Sequence, residues 1–357
     1  MKQTILGLAA LAVLCAGTSS AQEAPPRRRV FPVPVLGYTP ETSLLVGLAI
    51  VGVTSPGGAG PATRPSTGLV TAMYTLKHQY SISLFGDRWT AGDRWHLTVE
   101  TWLSRFPSYF HGIGGKATDS SETYTPQTLA FTAAAQRRVA PHLFAGAGYA
   151  IRRQRLVETE AGGRLAPGTV AGSRGGTSAG VTVDGVWDTR DVIYRTQRGV
   201  YARLALGTAG GALGGSFAYR RLNADVRGYR AVRRGVVLAA QAVVDAVDGT
   251  VPFEMLPRLG GQNVLRGFTE PRFRDDAMAA AHVEVRAPLR GIVSLVAFGG
   301  VGAVAPSLGD LADARRRVAG GLGLRLLLDR NEGLQLRVDY AVARGAGGLY
   351  IAAGDAF

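Results

Sequence analysis

The chain holds a single cysteine, Cys15. It falls in a stretch that reads as a secretory leader, with Lys2 as the positive start, Ile5 to Leu14 as an apolar core and Ser19-Ser20-Ala21 as a small-residue cleavage site before Gln22. Leu14 is too large for the small residue that a lipoprotein processing site prefers. A chain beginning at Gln22 has no thiol. That excludes disulfide staples and thiolate metal sites, and leaves stability to a large core or to closure of a sheet.

Long apolar runs are missing too. Beyond the leader the longest is Leu44 to Val53, well short of the ~18 residues that suggest a membrane helix. Yet 46% of the residues are hydrophobic, which suits strands that turn one face to lipid and the other to water. No linker divides the 357 residues into two soluble domains, and no repeat of the propeller or solenoid kind recurs. Acidic residues are comparatively few, since 40 Lys and Arg against 26 Asp and Glu give a formal charge of +14. A nucleic-acid surface is one use of such charge, but export removes the chain from nucleic acid. The excess is therefore assigned to a lumen lining and to anionic lipid headgroups. None of the five histidines has metal-ligand spacing, and neither metal nor cofactor is expected.

Residues 22–42 are rich in Pro and Arg, which disfavours regular structure and reads as a short lead-in. Strand after strand follows, from Leu44 to Val53 onward. In Trp95 to Leu103 the residues Trp95, Leu97, Val99 and Leu103 share a face, opposite His96, Thr98 and Glu100. In Phe217 to Tyr229, Arg221, Asn223, Asp225 and Arg227 alternate with Leu222, Ala224, Val226 and Gly228. With Tyr109 to Gly115 included the count is about sixteen, and an even number suits a bacterial barrel. Breaker-rich connections at 55–66, 117–127, 158–175 and 249–276 are long, whereas 77–79, 139–142, 231–235 and 289–291 are short. Long external loops and short periplasmic turns are the asymmetry of such barrels. An all-β, transmembrane antiparallel β-barrel is expected, with a soluble sandwich as the competing fold.

One loop stands apart. It carries Gly260-Gly261-Gln262-Asn263-Val264-Leu265-Arg266-Gly267-Phe268 and leads into Ala281 to Leu289, where His282, Glu284 and Arg286 alternate with Ala281, Val283, Val285 and Ala287. With it stand Pro34 to Thr42, Phe110-His111-Gly112-Ile113-Gly114, Trp187-Asp188-Thr189-Arg190-Asp191 followed by Arg198-Gly199, and the terminal Tyr350 to Phe357. Together these resemble the BamA/TamA family of outer-membrane barrels, the bacterial surface antigen type, without its periplasmic POTRA modules. The resemblance divides the chain into a signal peptide at 1–21, a short periplasmic lead-in at 22–42 and a barrel at 43–357.

The resemblance also implies roles. The external loop between strands 11 and 12 folds into the lumen, and Arg266, with Gly267 and Phe268, meets acidic residues on the inner wall. Glu284 stands where the first is expected. The second is missing, because Gly300 occupies its place in Phe298-Gly299-Gly300-Val301-Gly302, leaving Glu284 alone or joined by Asp275, Asp276 or Asp339. Taken alone, Arg266-Gly267-Phe268 also reads as a solvated turn with Gly267 at positive φ. Asp188, Arg190, Asp191 and Gly199 form a periplasmic turn, in which the aspartates cap and fix the backbone. Phe357 ends the chain as an assembly signal.

No catalysis is expected. His96, Thr98 and Glu100 only imitate a lipid-hydrolysing site, since they face the lumen and Thr98 is a poor stand-in for serine. The implied function is insertion or translocation of outer-membrane components, with outer-membrane lipid and periplasmic or outer-membrane clients as partners. A passive pore or structural surface antigen is the alternative.

Overall fold

The computed structural model describes residues 29–39, 43–54, 63–115, 120–193, 195–233, 235–268, 272–327 and 335–357. Residues 1–28, with Cys15 and the expected leader, lie outside them. The strands are β1 (Arg29–Thr39), β2 (Ser43–Thr54), β3 (Ser66–Thr75), β4 (Tyr80–Trp89), β5 (Trp95–Arg105), β6 (Ser108–Phe110), β7 (Glu122–Ala140), β8 (Leu143–Thr159), β9 (Gly176–Asp188) and β10 (Gly199–Ala209). They continue with β11 (Tyr219–Arg233), β12 (Val236–Gly249), β13 (Arg258–Leu259), β14 (Phe273–Arg274), β15 (Ala277–Arg290), β16 (Val293–Ala305), β17 (Arg317–Leu327), β18 (Gln335–Ala343) and β19 (Ala346–Ala353). β13 and β14 form a separate two-stranded sheet inside the β12–β15 connection. The main sheet has 17 strands, and setting aside the three-residue β6 leaves sixteen long ones. Each long strand pairs antiparallel with the next, from β1 to β19.

The period-two pattern explains the two faces. On β15, His282, Glu284 and Arg286 are buried inside, while Val283 and Val285 are exposed on the outside. On β18, Gln335, Arg337 and Asp339 are buried, while Tyr340 and Val342 are exposed. Leu44, Val46, Leu48 and Ile50 of β2 continue the apolar exterior. Such a molecule inverts the soluble arrangement: its outer wall suits hydrocarbon, and its sheet pairs the backbone groups that lipid cannot satisfy.

Two strand assignments differ from the sequence reading. Residues 29–39, expected within an irregular lead-in, form β1 and pair with β2 along their whole length. Pro32 and Pro34 lie two residues apart, so both missing N–H groups fall on the same edge of the strand and the intervening residues keep theirs. Conversely, Tyr109 to Gly115 makes no spanning strand, and only Ser108–Phe110 pairs, with β7. The two differences cancel in the count but not in the loops. The β2–β3 connection, expected outside, lies at the opposite end from the β12–β15 connection, whereas the short β3–β4 turn lies at the same end.

Candidate functional site

The long β12–β15 connection folds into the barrel because its apolar residues have a wall to pack on. Leu259, Leu265, Phe268 and Phe273 are buried with Met278, Ala280, Val304 and Ala319. The β13–β14 pair pins its two arms, and Gly261 N–H donates to the Phe268 carbonyl at 2.8 Å, closing the tip. Gly267 has φ +111, and a Cβ there would lie 3.1 Å from both Ala319 Cβ and the Val342 backbone. A side chain there is strained by conformation and would press on both neighbours. Gly267 N–H donates to Tyr350 Oη at 2.9 Å, and that hydroxyl donates to the Phe268 carbonyl at 3.2 Å.

Arg266 is thereby held inside the lumen, almost fully buried. Its Nη2 donates to Glu284 and its Nη1 to Asp339 Oδ2 at 2.5 Å. The guanidinium also sits 3.5 Å from the centroid of the Phe298 ring, a cation–π contact. The Arg266 partners are Glu284 and Asp339, not Asp275 or Asp276; Asp275 Oδ1 accepts the Asp276 N–H at 3.1 Å. Burial holds the Asp275 carboxyl above its ordinary pKa, with the Asp276 charge adding to the rise. A side chain at position 300 would have to displace its neighbours. A Cβ on Gly300 would approach His282 Nδ1 to 2.8 Å and Leu265 Cδ1 to 3.1 Å. The second acidic partner comes instead from β18.

The charges extend beyond this pair. Arg286 Nε donates to Glu284 Oε2 at 2.9 Å and its Nη1 to Asp355 Oδ2 at 2.6 Å. Arg325 Nη1 donates to Asp339 Oδ1 at 2.5 Å, and its Nε lies 3.5 Å from Asp355 Oδ1. Arg266, Glu284, Arg286, Asp355, Arg325 and Asp339 therefore alternate in sign around a closed circuit. Arg337 stands beside it, its Nε 3.8 Å from Asp339 and its Nη2 3.3 Å from Asn263 Oδ1 of the loop. Buried charges persist only when paired, and each member of the circuit has opposite charges beside it, drawn from the loop, β15, β17, β18 and the residues after β19; Arg286 Nη2 and Arg325 Nε are buried without a hydrogen bond.

Those last residues turn inward. The final strand stops at Ala353, and Gly354 adopts φ +79. Phe357 is buried with Tyr229, Ala239 and Ala356. Its ring centroid is 6.2 Å from that of His282, and the Arg286 guanidinium lies 5.6 Å from it. The terminal aromatic faces the lumen rather than the apolar exterior.

At the opposite end of the barrel, Asp188 closes β9. Arg190 grips it through Nε and Nη2, both at 2.9 Å, and Arg64 Nη1 adds a third contact at 2.9 Å. Arg64, which the sequence does not single out, also covers Trp89 at 4.6 Å. Asp191 Oδ1 accepts the N–H groups of Val192 and Gln197, each at 2.9 Å, and of Arg198 at 3.3 Å. Gly199 has φ +113, and a Cβ there would meet the Thr189 carbonyl at 2.3 Å. This is a turn fixed by side-chain acceptors. His96 stacks on Trp89 at 3.9 Å, with Gln136 Oε1 2.9 Å from Nδ1 and Asp87 3.2 Å from Nε2. Among the described residues, no three His, Cys, Asp or Glu side chains gather as a metal site.

The profile described as Omp85 superfamily domain matches residues 66–349. Among solved structures, BamA from Haemophilus ducreyi lacking POTRA domains 1-3 is similar at a TM-score of 0.59 and 16% identity, over 92% of this chain and 70% of that one. CdiB from Escherichia coli is similar at a TM-score of 0.60 and 8% identity, over 97% of this chain and 67% of that one. CdiB from Acinetobacter baumannii follows at 0.56 and 9%, over 91% of this chain and 57% of that one. At these identities the likeness is one of fold. A comparison with curated protein sequences gives no match.

Proposed function

This chain belongs to the Omp85 superfamily, and on that premise we propose that its outer-membrane barrel assists the insertion or translocation of outer-membrane components. Its clients are periplasmic or outer-membrane proteins, and its role is non-catalytic. The observation that carries this reading is the circuit through Arg266. It ties the β12–β15 loop to β15 and β18, and through Arg286 and Arg325 to Asp355 beyond the last strand. A static pore has no need of a shared lock on its largest loop and its chain end. A barrel that opens does, because one rearrangement then frees both. Glu284 and Arg266 act as the lock, Gly267 and Phe268 as its seat, and the turn at Asp188, Arg190, Asp191 and Gly199 holds the periplasmic end. We assign Phe357 a part in assembly of the barrel, where it docks on Tyr229.

The test is insertion of a urea-unfolded outer-membrane barrel into liposomes that contain this protein, with single-channel conductance recorded on the same preparations. The reading expects faster client insertion than in empty liposomes, and loss of that gain in a folded Arg266→Ala variant. Steady conductance without any gain in client insertion would favour a passive pore.

A further inference from the structure

The outer face at the end that carries the β12–β15 loop is not uniformly apolar. Arg105, Gln127 and Arg155 are register partners across β5, β7 and β8, and all three face outward. Leu103, Leu129 and Arg153 form the next row down. Adjacent strands lie about 4.8 Å apart and alternate residues about 7 Å apart, so the three arginines fit a patch roughly 10 Å across. Arg105 is engaged by Glu158 at 2.8 Å. Arg153 and Arg155 are exposed, and among the described residues neither has an ion-pair partner. On β7, Leu129 is exposed level with Arg153 and Phe131 is exposed one row below it.

A ledge borders the patch. After β10 the turn from Gly210 to Ser216 folds over the outer face of β9. Gly210 N–H donates to the Ala179 carbonyl at 3.1 Å, Ser216 N–H to Thr177 at 2.6 Å, and Tyr149 Oη to Leu213 at 3.0 Å. Ala179, on an outward position, is fully covered as a result. Thr177 is the register partner of Arg153, so the ledge stands beside the two free guanidiniums. The arrangement has a cationic top, an apolar floor and one raised side.

We propose that this face of β5, β7 and β8 binds the phosphorylated headgroup of an outer-leaflet lipid, with Arg153 and Arg155 on the phosphate and its acyl chains along Leu129 and Phe131. Guanidinium pairs bind phosphate through charge-assisted, often bidentate hydrogen bonds. At the headgroup level such a contact replaces water without burying an unpaired charge. The proposal rests on the reading that this end of the barrel is the external one.

The probe is a diphosphorylated glucosamine lipid at low mole fraction in phosphatidylcholine nanodiscs, with retained lipid counted by native mass spectrometry. The wild-type barrel should retain the lipid, fail to retain its dephosphorylated form, and keep it in the presence of inorganic phosphate. Arg153→Ala/Arg155→Ala should lower occupancy about tenfold, the loss of one charge-assisted contact or more. Arg88→Ala/Arg137→Ala, exposed outward positions at the other rim, should leave it unchanged. Undiminished occupancy in the first double variant, or displacement by inorganic phosphate, would overturn the seat. A loss confined to the second double variant would overturn it through the orientation, leaving the client-insertion result standing as a separate readout.

Discussion

Asp339 of β18 accepts from Arg266 and from Arg325 at once, with a nitrogen of each 2.5 Å from one of its oxygens. It is fully buried, and it supplies the second carboxylate that Gly300 does not. Both guanidiniums would be left short of charge without it.

Asp339→Ala should therefore cost about 3–5 kcal/mol of barrel stability, the range for stripping one partner from a buried ion pair. Gly300→Asp should not rescue it, because His282 and Leu265 already fill that space. Denaturant titration of the single and double variants in detergent checks both points. Recovery in the double variant would mean that the inner wall at β16 can yield.

Asp188→Ala should loosen the far end of the barrel. It would remove the shared acceptor of Arg64 and Arg190, at a cost of about 3 kcal/mol. Hydrogen exchange should rise in the β9–β10 turn while the β12–β15 loop, at the other end, keeps its protection. Uniform loss of protection would indicate global unfolding instead.

Gly199→Ala is expected to be as damaging as a core substitution, at about 2–3 kcal/mol, because φ +113 and the Thr189 carbonyl at 2.3 Å both oppose a Cβ. Gly345, also at positive φ but with nothing near its Cβ position, should tolerate alanine at about 1 kcal/mol. The difference between their thermal midpoints separates contact from conformation.

Asp275 gives a pH dependence whose sign follows from its raised pKa. The folded loop binds this proton more tightly than the unfolded chain, so the stability contributed by Asp275 is fully present below the ordinary carboxylate pKa. It is lost as pH rises through the elevated folded value. Asp275→Asn should make the loop less sensitive to pH between acid and neutral conditions, with its gain over wild type appearing only at the upper end. Proteolysis of the loop across that range reads this out, and a gain in acid alone would contradict it.

The alternation that places Glu284, Arg286, Arg337 and Asp339 on one inner wall is written in the sequence, because a strand has a period of two. The fold was legible for the same reason. The choice of Asp339 over Asp275 or Asp276 was not. It depends on the register across β16, β17 and β18 and on how far the loop reaches, and neither leaves a local mark. Pro32 and Pro34 pointed away from a strand, yet their spacing leaves the bonding pattern of β1 usable. The inward turn at Gly354 and the reach of Arg64 to Asp188 arise from tertiary packing, and no short motif encodes them.

The central claim is that Arg266 and the chain end share one lock. With Cys15→Ser and Ala356→Cys in place, the thiol at position 356, buried beside Phe357, becomes the sole cysteine, and its rate of reaction with a water-soluble maleimide reports release of the tail from the lumen. The account predicts slow labelling when Arg266 is present, and labelling faster by about tenfold or more in folded Arg266→Ala, as the circuit through Glu284, Arg286 and Asp355 opens. Equal rates in the two proteins would show that loop and tail are held independently, and would contradict it.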